Sequence, residues 1–197
     1  MKQYKLLQTL TLTALFSTFT LANDNGFYIG VDTSIISFGD QSLKITNEDK
    51  STKNYKDIES CHGDIKVGYQ HFDGNRVELY YRHNELDTKA GDITTQTYGI
   101  NYEWAFSSLS SETITPYLLI GFGGGEASSS KITAVDNAET GEGSFGLGIH
   151  YQYNKNVDFQ IGYTATSTGF DGFDDEEIDK TSTVDQDKIM VGLSYKF

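Results

Sequence analysis

The fold of this chain is decided by the stretch Thr95-Gln96-Thr97-Tyr98-Gly99-Ile100-Asn101-Tyr102-Glu103-Trp104-Ala105-Phe106. Large apolar side chains stand there at every second position and alternate with small or polar ones. Because successive side chains of a strand point to opposite faces, this period of two predicts a strand with one apolar and one polar face. The stretch is also long enough for the roughly 9–11 residues that a tilted strand needs to cross a bilayer.

Seven further stretches show the same alternation. The eight predicted strands are residues 27–38, 64–72, 76–84, 95–106, 115–127, 144–153, 157–164 and 188–197. The composition agrees, since 13 Tyr, 12 Phe and 20 Gly accompany a single Pro. Aromatic residues favour strands and proline is confined to their edges, so the chain is predicted to be all-β.

The connections between these strands alternate between short and long. Short connections are predicted at residues 73–75, 107–113 and 154–156, and long ones at 39–63, 85–94, 128–143 and 167–187. Short turns on one side and long loops on the other are typical of outer-membrane barrels, whose short turns are periplasmic. The prediction is therefore an eight-stranded antiparallel up-and-down transmembrane β-barrel with short periplasmic turns and long extracellular loops.

The first 22 residues have the order of a secretory signal peptide. Residues 1–5 carry two lysines and no acid, residues 6–21 are mostly apolar, and Thr20-Leu21-Ala22 resembles a small-residue cleavage site. We therefore expect a signal peptide at 1–22 and the barrel domain at 23–197. Removal of Lys2 and Lys5 would change the net charge from −13 to −15. The alternative is a retained N-terminal anchor helix, for which the apolar part is short.

Alternation alone leaves open which face lies inside, because a soluble lipocalin-type barrel would turn its apolar face inward. The polar face, however, balances five acids against five bases, as expected of a tight interior where each ion needs a partner. The predicted interior charges are Asp32, Asp64, Glu78, Glu103 and Asp158 against Lys66, Arg76, Arg82, Lys188 and Lys196. The aromatic residues also collect where the strands meet the short turns, as in a membrane-interface girdle. Both observations favour the membrane barrel.

The segment Val191-Gly192-Leu193-Ser194-Tyr195-Lys196-Phe197 alternates apolar residues and ends on an aromatic one. It resembles the C-terminal signal that the outer-membrane assembly machinery recognises, and the resemblance gives that role to Val191, Leu193, Tyr195 and Phe197. With Thr115-Pro116-Tyr117-Leu118-Leu119-Ile120-Gly121-Phe122-Gly123, it is similar to the opacity-type and OmpA/OmpX-like family of small outer-membrane β-barrels.

This resemblance covers nearly all of the chain after residue 22 and implies a single barrel domain in the outer membrane of a Gram-negative bacterium. The implied partners are outer-membrane lipid and lipopolysaccharide, the assembly machinery and the periplasmic chaperones. The family includes adhesins, surface-protection proteins and proteins of no known role, so the resemblance specifies fold and location more closely than activity.

Charge and cysteine content exclude other classes. A net charge of −13 disfavours nucleic acid as a partner, since phosphates need a basic surface. Cys61 is the only cysteine, so no internal disulfide can form.

Lipid A deacylases of this barrel type place a serine two residues after a histidine, whereas the four histidines here are followed by Asp64, Asp73, Glu85 and Gln152. The sequence therefore predicts no enzyme and no cofactor.

Two groups of residues have metal-compatible side chains. Glu59, Cys61, His62 and Asp64 are interpreted as the end of a polar surface loop, because a strand would send neighbours to opposite faces. The last long loop is strongly acidic, and oxygen-rich flexible loops suit Ca²⁺ or Mg²⁺. Its candidate ligands are Asp171, Asp174, Asp175, Glu176, Glu177 and Asp179. We expect weak cation binding there at most, against the alternative of a solvated, self-repelling loop.

The function expected from these features is that of a non-enzymatic surface protein. The barrel would be the anchor, and the extracellular loops would bind a host, matrix or neighbouring-cell component or stabilise the envelope. A small-solute or ion channel of the porin type is the first alternative, although eight strands enclose an interior that side chains just fill. A lipid A-modifying enzyme is the second.

Overall fold

Nine antiparallel strands dominate the computed structural model, which describes residues 25–46, 52–55, 59–88, 91–129, 137–171 and 181–197. One 3-10 helix, Ser107–Leu109, interrupts them. The strands are β1 (Gly26–Thr46), β2 (Thr52–Tyr55), β3 (Glu59–Gln70), β4 (Arg76–Thr88), β5 (Gly91–Ala105), β6 (Ile114–Ser128), β7 (Ala138–Gln152), β8 (Val157–Asp171) and β9 (Thr181–Lys196).

Pairing of the first and last strands closes the sheet. From β3 to β9 each strand pairs with the next, β1 pairs with β3 over 26–33, and its other edge pairs with β9 over 28–45. The short β2 forms a hairpin on residues 43–46 at the far end of β1. The predicted eight-stranded antiparallel barrel is therefore confirmed, with β2 as an addition to it. Closure pairs both edges of every long strand towards the end with the short connections, as a structure in lipid requires, whereas the register between β1 and β3 ends at Thr33 and Gly63.

The strands continue further towards the long connections than the sequence predicted. For example, β6 runs to Ser128 and β7 begins at Ala138, whereas residues 128–143 were predicted to be a loop. β3 likewise begins at Glu59, so the interpretation of residues 59–64 as the end of a surface loop is wrong. We call this end of the barrel the loop end, and the opposite end, with the short connections and the beginning of β1, the turn end.

Local side-chain chemistry forms the turns at the turn end. Between β3 and β4, the backbone N–H of Gly74 donates to the carbonyl of His71 at 2.9 Å, and Gly74 has a φ of +89° that glycine tolerates best. Asp73 accepts the backbone N–H of Asn75 at 3.0 Å, and this bond holds the pKa of Asp73 below its ordinary value. Between β7 and β8, Asn154 accepts backbone N–H groups in the same manner. These are the Asn and Asp turns that the sequence predicted.

The alternating faces are arranged as a membrane barrel requires. The apolar side chains point outward, and the most exposed include Phe27, Leu79, Tyr98, Trp104, Phe122 and Leu147, at 51% exposure or more. A β-bulge in β1 turns both Ile35 and Ile36 outward. A soluble barrel would turn these apolar side chains inward, because exposing them to water is unfavourable. The outward apolar face therefore excludes the lipocalin alternative.

The glycines of the inner face make room for tyrosines. Tyr28 lies over Gly68, Tyr80 over Gly99 and Tyr117 over Gly148, and a Cβ atom at any of these glycines would overlap the tyrosine ring. The three tyrosines are 3–4% exposed and fill the lumen between the charged groups. The abundance of glycine on the polar face therefore reflects close packing inside the barrel.

Candidate functional site

The barrel lumen contains the predicted interior charges. The structure buries Asp32, Lys66, Arg76, Glu78, Arg82, Glu103, Asp158 and Lys188, which are between 1% and 8% exposed. Asp64 and Lys196 are buried with them. Buried charges of this number require specific partners, because an unpaired one costs several kcal/mol. Two groups of contacts supply these partners, one in each half of the lumen.

Lys66 is the centre of the group nearer the turn end. Its Nζ lies 2.9 Å from Asp32 Oδ2, 2.9 Å from Glu78 Oε1 and 2.7 Å from Gln160 Oε1. An ammonium group has three N–H bonds, so each has an acceptor. Glu78 is further held by the Tyr28 hydroxyl, which donates to it at 2.6 Å. Strands β1, β3, β4 and β8 are thus tied together across the lumen.

Two further pairs complete this group. Arg76 Nη2 donates to Asp158 at 2.6 Å, and His150 Nε2 lies 2.8 Å from Glu103. Gln160 donates to Glu103 at 3.2 Å and thereby joins this pair to Lys66. The sequence predicted an interior salt network but could not specify which acid meets which base.

Arg82 is the centre of the group nearer the loop end. Its Nε and Nη2 donate to the two oxygens of Asp64 at 2.9 and 2.7 Å, which is the bidentate geometry that makes such pairs strong. Its Nη1 pairs with Glu142, which also accepts the hydroxyl of Tyr80 at 3.1 Å. Sequence analysis missed Glu142, because it assigned residues 128–143 to a loop. The sequence feature that could have identified Glu142 is the alternation along the strand, since Glu142 stands two residues before Ser144 and so shares its inward face.

Lys188 has a histidine as its nearest polar neighbour instead of a carboxylate. Within the described part of the chain its Nζ makes one side-chain contact, with His62 Nδ1 at 3.3 Å. An ammonium group only donates, so Nδ1 accepts and the proton of a neutral ring lies on Nε2. The carboxylates of Asp64 and Glu142, which contact Arg82 directly, act on Lys188 from a greater distance.

Apolar side chains close the lumen at the loop end. We call them the apolar ring, and its members are Leu86, Ile93, Ala127, Ala138, Phe170 and Val184. Each is at most 2% exposed, and neighbours such as Leu86 and Ile93 lie opposite each other in the strand register. With the charged groups below it, the ring leaves a filled interior and no wide aqueous passage among the described residues.

The histidines of the lumen do not form a nucleophile site within the described residues. His150 Nδ1 and His62 Nε2 have no hydrogen-bond partner there, and the other ring nitrogens contact Glu103 and Lys188. Acyl transfer needs a hydroxyl or thiol within hydrogen-bond reach of the base. The pair of His150 and Glu103 therefore ties strands together and does not activate a nucleophile in this geometry.

The candidate cation ligands lie almost wholly beyond the region that can be described. Asp174, Asp175, Glu176, Glu177 and Asp179 fall outside the described residues, and Asp171 is the last residue of β8. Within the described ranges, no group of three or more His, Cys, Asp or Glu residues is arranged to hold a metal ion. Cys61 is exposed on the outward face of β3.

The residues of the predicted assembly signal lie on the strand that closes the barrel. Leu193 and Tyr195 of β9 point outward with 44% and 43% exposure, and Val191 shares their face. The rings of Tyr195 and Phe197 meet edge to face at 5.4 Å. Other outward aromatic pairs near the turn end are Phe27 with Tyr69, at 5.2 Å, and Tyr153 with Phe159, at 6.2 Å. They form the girdle that the sequence predicted at a membrane interface.

Comparison with known proteins agrees with this geometry. The family described as "Outer membrane protein beta-barrel domain" matches residues 9–197. No curated protein matches the chain. Among the described residues, no helix is long and apolar enough to span a bilayer.

Two solved structures share the fold. Neisserial surface protein A (NspA) superposes with a TM-score of 0.58 and 17% identity, over 87% of this chain and 97% of that protein. The outer membrane protein OprG from Pseudomonas aeruginosa superposes with a TM-score of 0.53 and 16% identity, over 87% of this chain and 96% of that protein. With an outward apolar face, a filled polar lumen and a family match over nearly its whole length, the chain belongs to the outer-membrane β-barrel family and is a protein of the outer membrane.

Proposed function

We propose that this protein is a non-enzymatic surface protein, in which the barrel is an anchor and the loop end binds a partner outside the cell. The observation that carries the proposal is the closed lumen. Buried ion pairs fill the interior and the apolar ring covers it, so the chemistry available to a partner lies on the outside of the loop end. β4 to β9 have 13 to 16 residues, more than the roughly 9–11 needed to cross a bilayer, and so extend beyond it.

The outward face of these extensions is acidic. We call it the acidic rim, and its residues are Glu85, Asp87, Asp92, Glu126 and Glu139, all exposed. Where side chains are described, no outward position at this end is Lys or Arg. A surface of one sign attracts partners of the opposite sign and repels those of its own. The rim therefore favours a partner with a basic surface, on a host cell, in the matrix or on a neighbouring cell, over a polyanion.

The route to the membrane is part of the same proposal. Residues 1–22 would direct export, periplasmic chaperones would carry the unfolded chain, and the assembly machinery would recognise Val191, Leu193, Tyr195 and Phe197. The outward position of Leu193 and Tyr195 supports this role, since these side chains are accessible on the closing strand. Weak binding of Ca²⁺ or Mg²⁺ by the acidic segment between Asp171 and Asp179 stays a prediction from the sequence.

The test is a comparison of four strains: wild type, deletion, a strain with a neutralised rim and a control. The neutralised rim carries Glu85→Gln, Asp87→Asn, Asp92→Asn, Glu126→Gln and Glu139→Gln, and the control carries Asp73→Asn and Glu112→Gln near the turn end. We expect the deletion and the neutralised rim to lose adhesion to a basic surface, while the control keeps it. Solute permeability and lipid A composition should be equal in all four. An altered lipid A composition in the deletion strain would indicate an enzyme instead. A reduced solute permeability in that strain would indicate a channel.

A further inference from the structure

An apolar groove with an acidic end crosses the outer surface of β6, β7, β8 and β9. It has a volume of about 410 Å³ and is formed by three consecutive residues on each strand, 120–122, 143–145, 165–167 and 185–187. These triplets lie opposite one another in the strand register. The first and third residues of each triplet point away from the lumen, so the groove belongs to the barrel wall and is separate from the charged interior.

The two ends of the groove differ in chemistry. At the β6–β7 end, Ile120, Phe122 and Phe145 are outward and 46–62% exposed, which makes an apolar wall. The floor consists of small residues, Gly143 and Ala165, and no atom lies within 4 Å of a Cβ built at Gly143. This end is continuous with the apolar outward face of the barrel, where hydrocarbon is the surrounding medium.

The β9 end carries two outward carboxylates. Asp187 accepts the hydroxyl of Tyr163 at 2.8 Å, and Asp185 accepts the hydroxyl of Ser167 at 2.7 Å. These bonds come from neutral groups, and no described cation lies within 4 Å of either carboxylate. Each keeps acceptor capacity for another donor, because a carboxylate has about four lone-pair sites.

The groove also rises along the wall towards the loop end. On β6 the middle residue of the groove, Gly121, lies seven residues from the turn-end terminus Ile114. On β9 the middle residue, Gln186, lies ten residues from the turn-end terminus Lys196. The acidic end is therefore the end nearer the outer membrane surface, and the apolar end lies deeper. This is the polarity of an amphiphile in the outer leaflet, with its chain inward and its head at the surface.

We infer that this groove binds one hydrocarbon chain of an outer-leaflet lipid whose head group carries an ammonium group, received by Asp185 and Asp187. The apolar floor accepts the chain, and the paired carboxylates attract a cationic head while they repel an anionic one. The inference goes beyond the proposed partner binding at the acidic rim, because it concerns a different surface and a ligand within the membrane.

The test uses the folded protein in detergent micelles with two lipid probes of equal chain length. Lysophosphatidylethanolamine carries an ammonium group, and lysophosphatidylglycerol does not. Bound lipid is counted by native mass spectrometry, and its place is found from amide shifts by NMR. We expect the ethanolamine lipid to bind about tenfold more tightly, with shifts confined to the groove residues.

Matched variants make the test specific. Gly143→Leu and Ala165→Leu each fill the floor and should abolish the localised shifts. Gly141→Leu is the control, since Gly141 is also outward on β7 with no atom within 4 Å of a built Cβ but does not line the groove. Asp185→Asn with Asp187→Asn should remove the preference between the two lipids, while Glu139→Gln should keep it.

Two results would overturn the inference. The first is equal binding of both lipids to the wild-type protein. The second is a set of shifts spread around the whole barrel that Gly143→Leu and Ala165→Leu leave unchanged, which is the behaviour of ordinary surrounding lipid. A heat-modifiability gel of each variant shows that the barrel is folded, and the two floor variants provide independent measurements.

Discussion

The backbone N–H of Phe197 donates a hydrogen bond to the carbonyl oxygen of Phe27 at 3.0 Å, which joins the end of β9 to the beginning of β1. This bond lies at the turn-end margin of the seam that closes the barrel. The aromatic ring of Phe197 also packs on the ring of Tyr195. Backbone and side chain of Phe197 therefore make separate contributions, which two variants distinguish.

We predict that Phe197→Ala impairs assembly in cells but permits refolding in detergent, because it removes the side chain and keeps the backbone bond. Deletion of Phe197 should impair both. Cell fractionation and the fraction of heat-modifiable protein measure the two effects. Tyr153→Ala, at an exposed aromatic residue of the girdle, is the control and should assemble normally. Normal assembly of the deletion variant would contradict the role given to this residue.

Removal of Arg82 should strongly destabilise the barrel. Arg82→Met leaves the carboxylates of Asp64 and Glu142 buried without their cation, and breaking a buried pair in this way costs about 3–5 kcal/mol. Urea unfolding in detergent, followed by the fluorescence of Trp104, gives the free energy of unfolding. Adding Asp64→Asn and Glu142→Gln to Arg82→Met should recover part of the loss. A loss below about 0.5 kcal/mol, as at an exposed surface position, would show that the pair is not buried as described.

The glycines under the lumen tyrosines should resist substitution. Gly99→Ala places a Cβ where the Tyr80 ring and the carbonyl of Phe122 already lie, and such overpacking costs about 1–3 kcal/mol. Gly143→Ala is the matched comparison on the outer face, where the new Cβ meets nothing, and should be neutral or stabilising by up to about 1 kcal/mol. The same unfolding experiment compares them, and equal effects would contradict the described packing.

Export by a signal peptide predicts a specific mature protein. Cleavage after Ala22 leaves 197 − 22 = 175 residues beginning at Asn23. Intact-mass measurement of the protein recovered from outer membranes checks this length. Recovery of the uncleaved chain would instead support a retained N-terminal helix.

The alternation of side chains along each strand made the inward and outward faces of the barrel predictable from the sequence. The pairs of side chains that meet across the lumen were not predictable. The inward position of Lys66 or Arg82 follows from its neighbours along one strand. Its partner depends on which side chains reach across the lumen, as when Arg76 on β4 meets Asp158 on β8. No pattern of neighbouring residues along one strand specifies which side chains meet across the lumen.

The loop-end extensions were missed for a related reason. Gly141, Glu142 and Gly143 continue the alternation of β7, but glycine at the outward positions removes the apolar signal that marks a strand. Most of the apolar ring was missed with them, since all its members except Ala127 stand in residues that were predicted to be connections. The feature that closes the lumen is therefore the part of the barrel that hydrophobic alternation describes least well.

The central claim is that the lumen is closed and that function belongs to the outer surface. Single-channel recording of the purified wild-type protein in planar bilayers tests it most directly. Because buried ion pairs fill the interior and the apolar ring covers it, we predict no steadily open conductance. Stable openings of high conductance that also pass uncharged sugars would contradict the account.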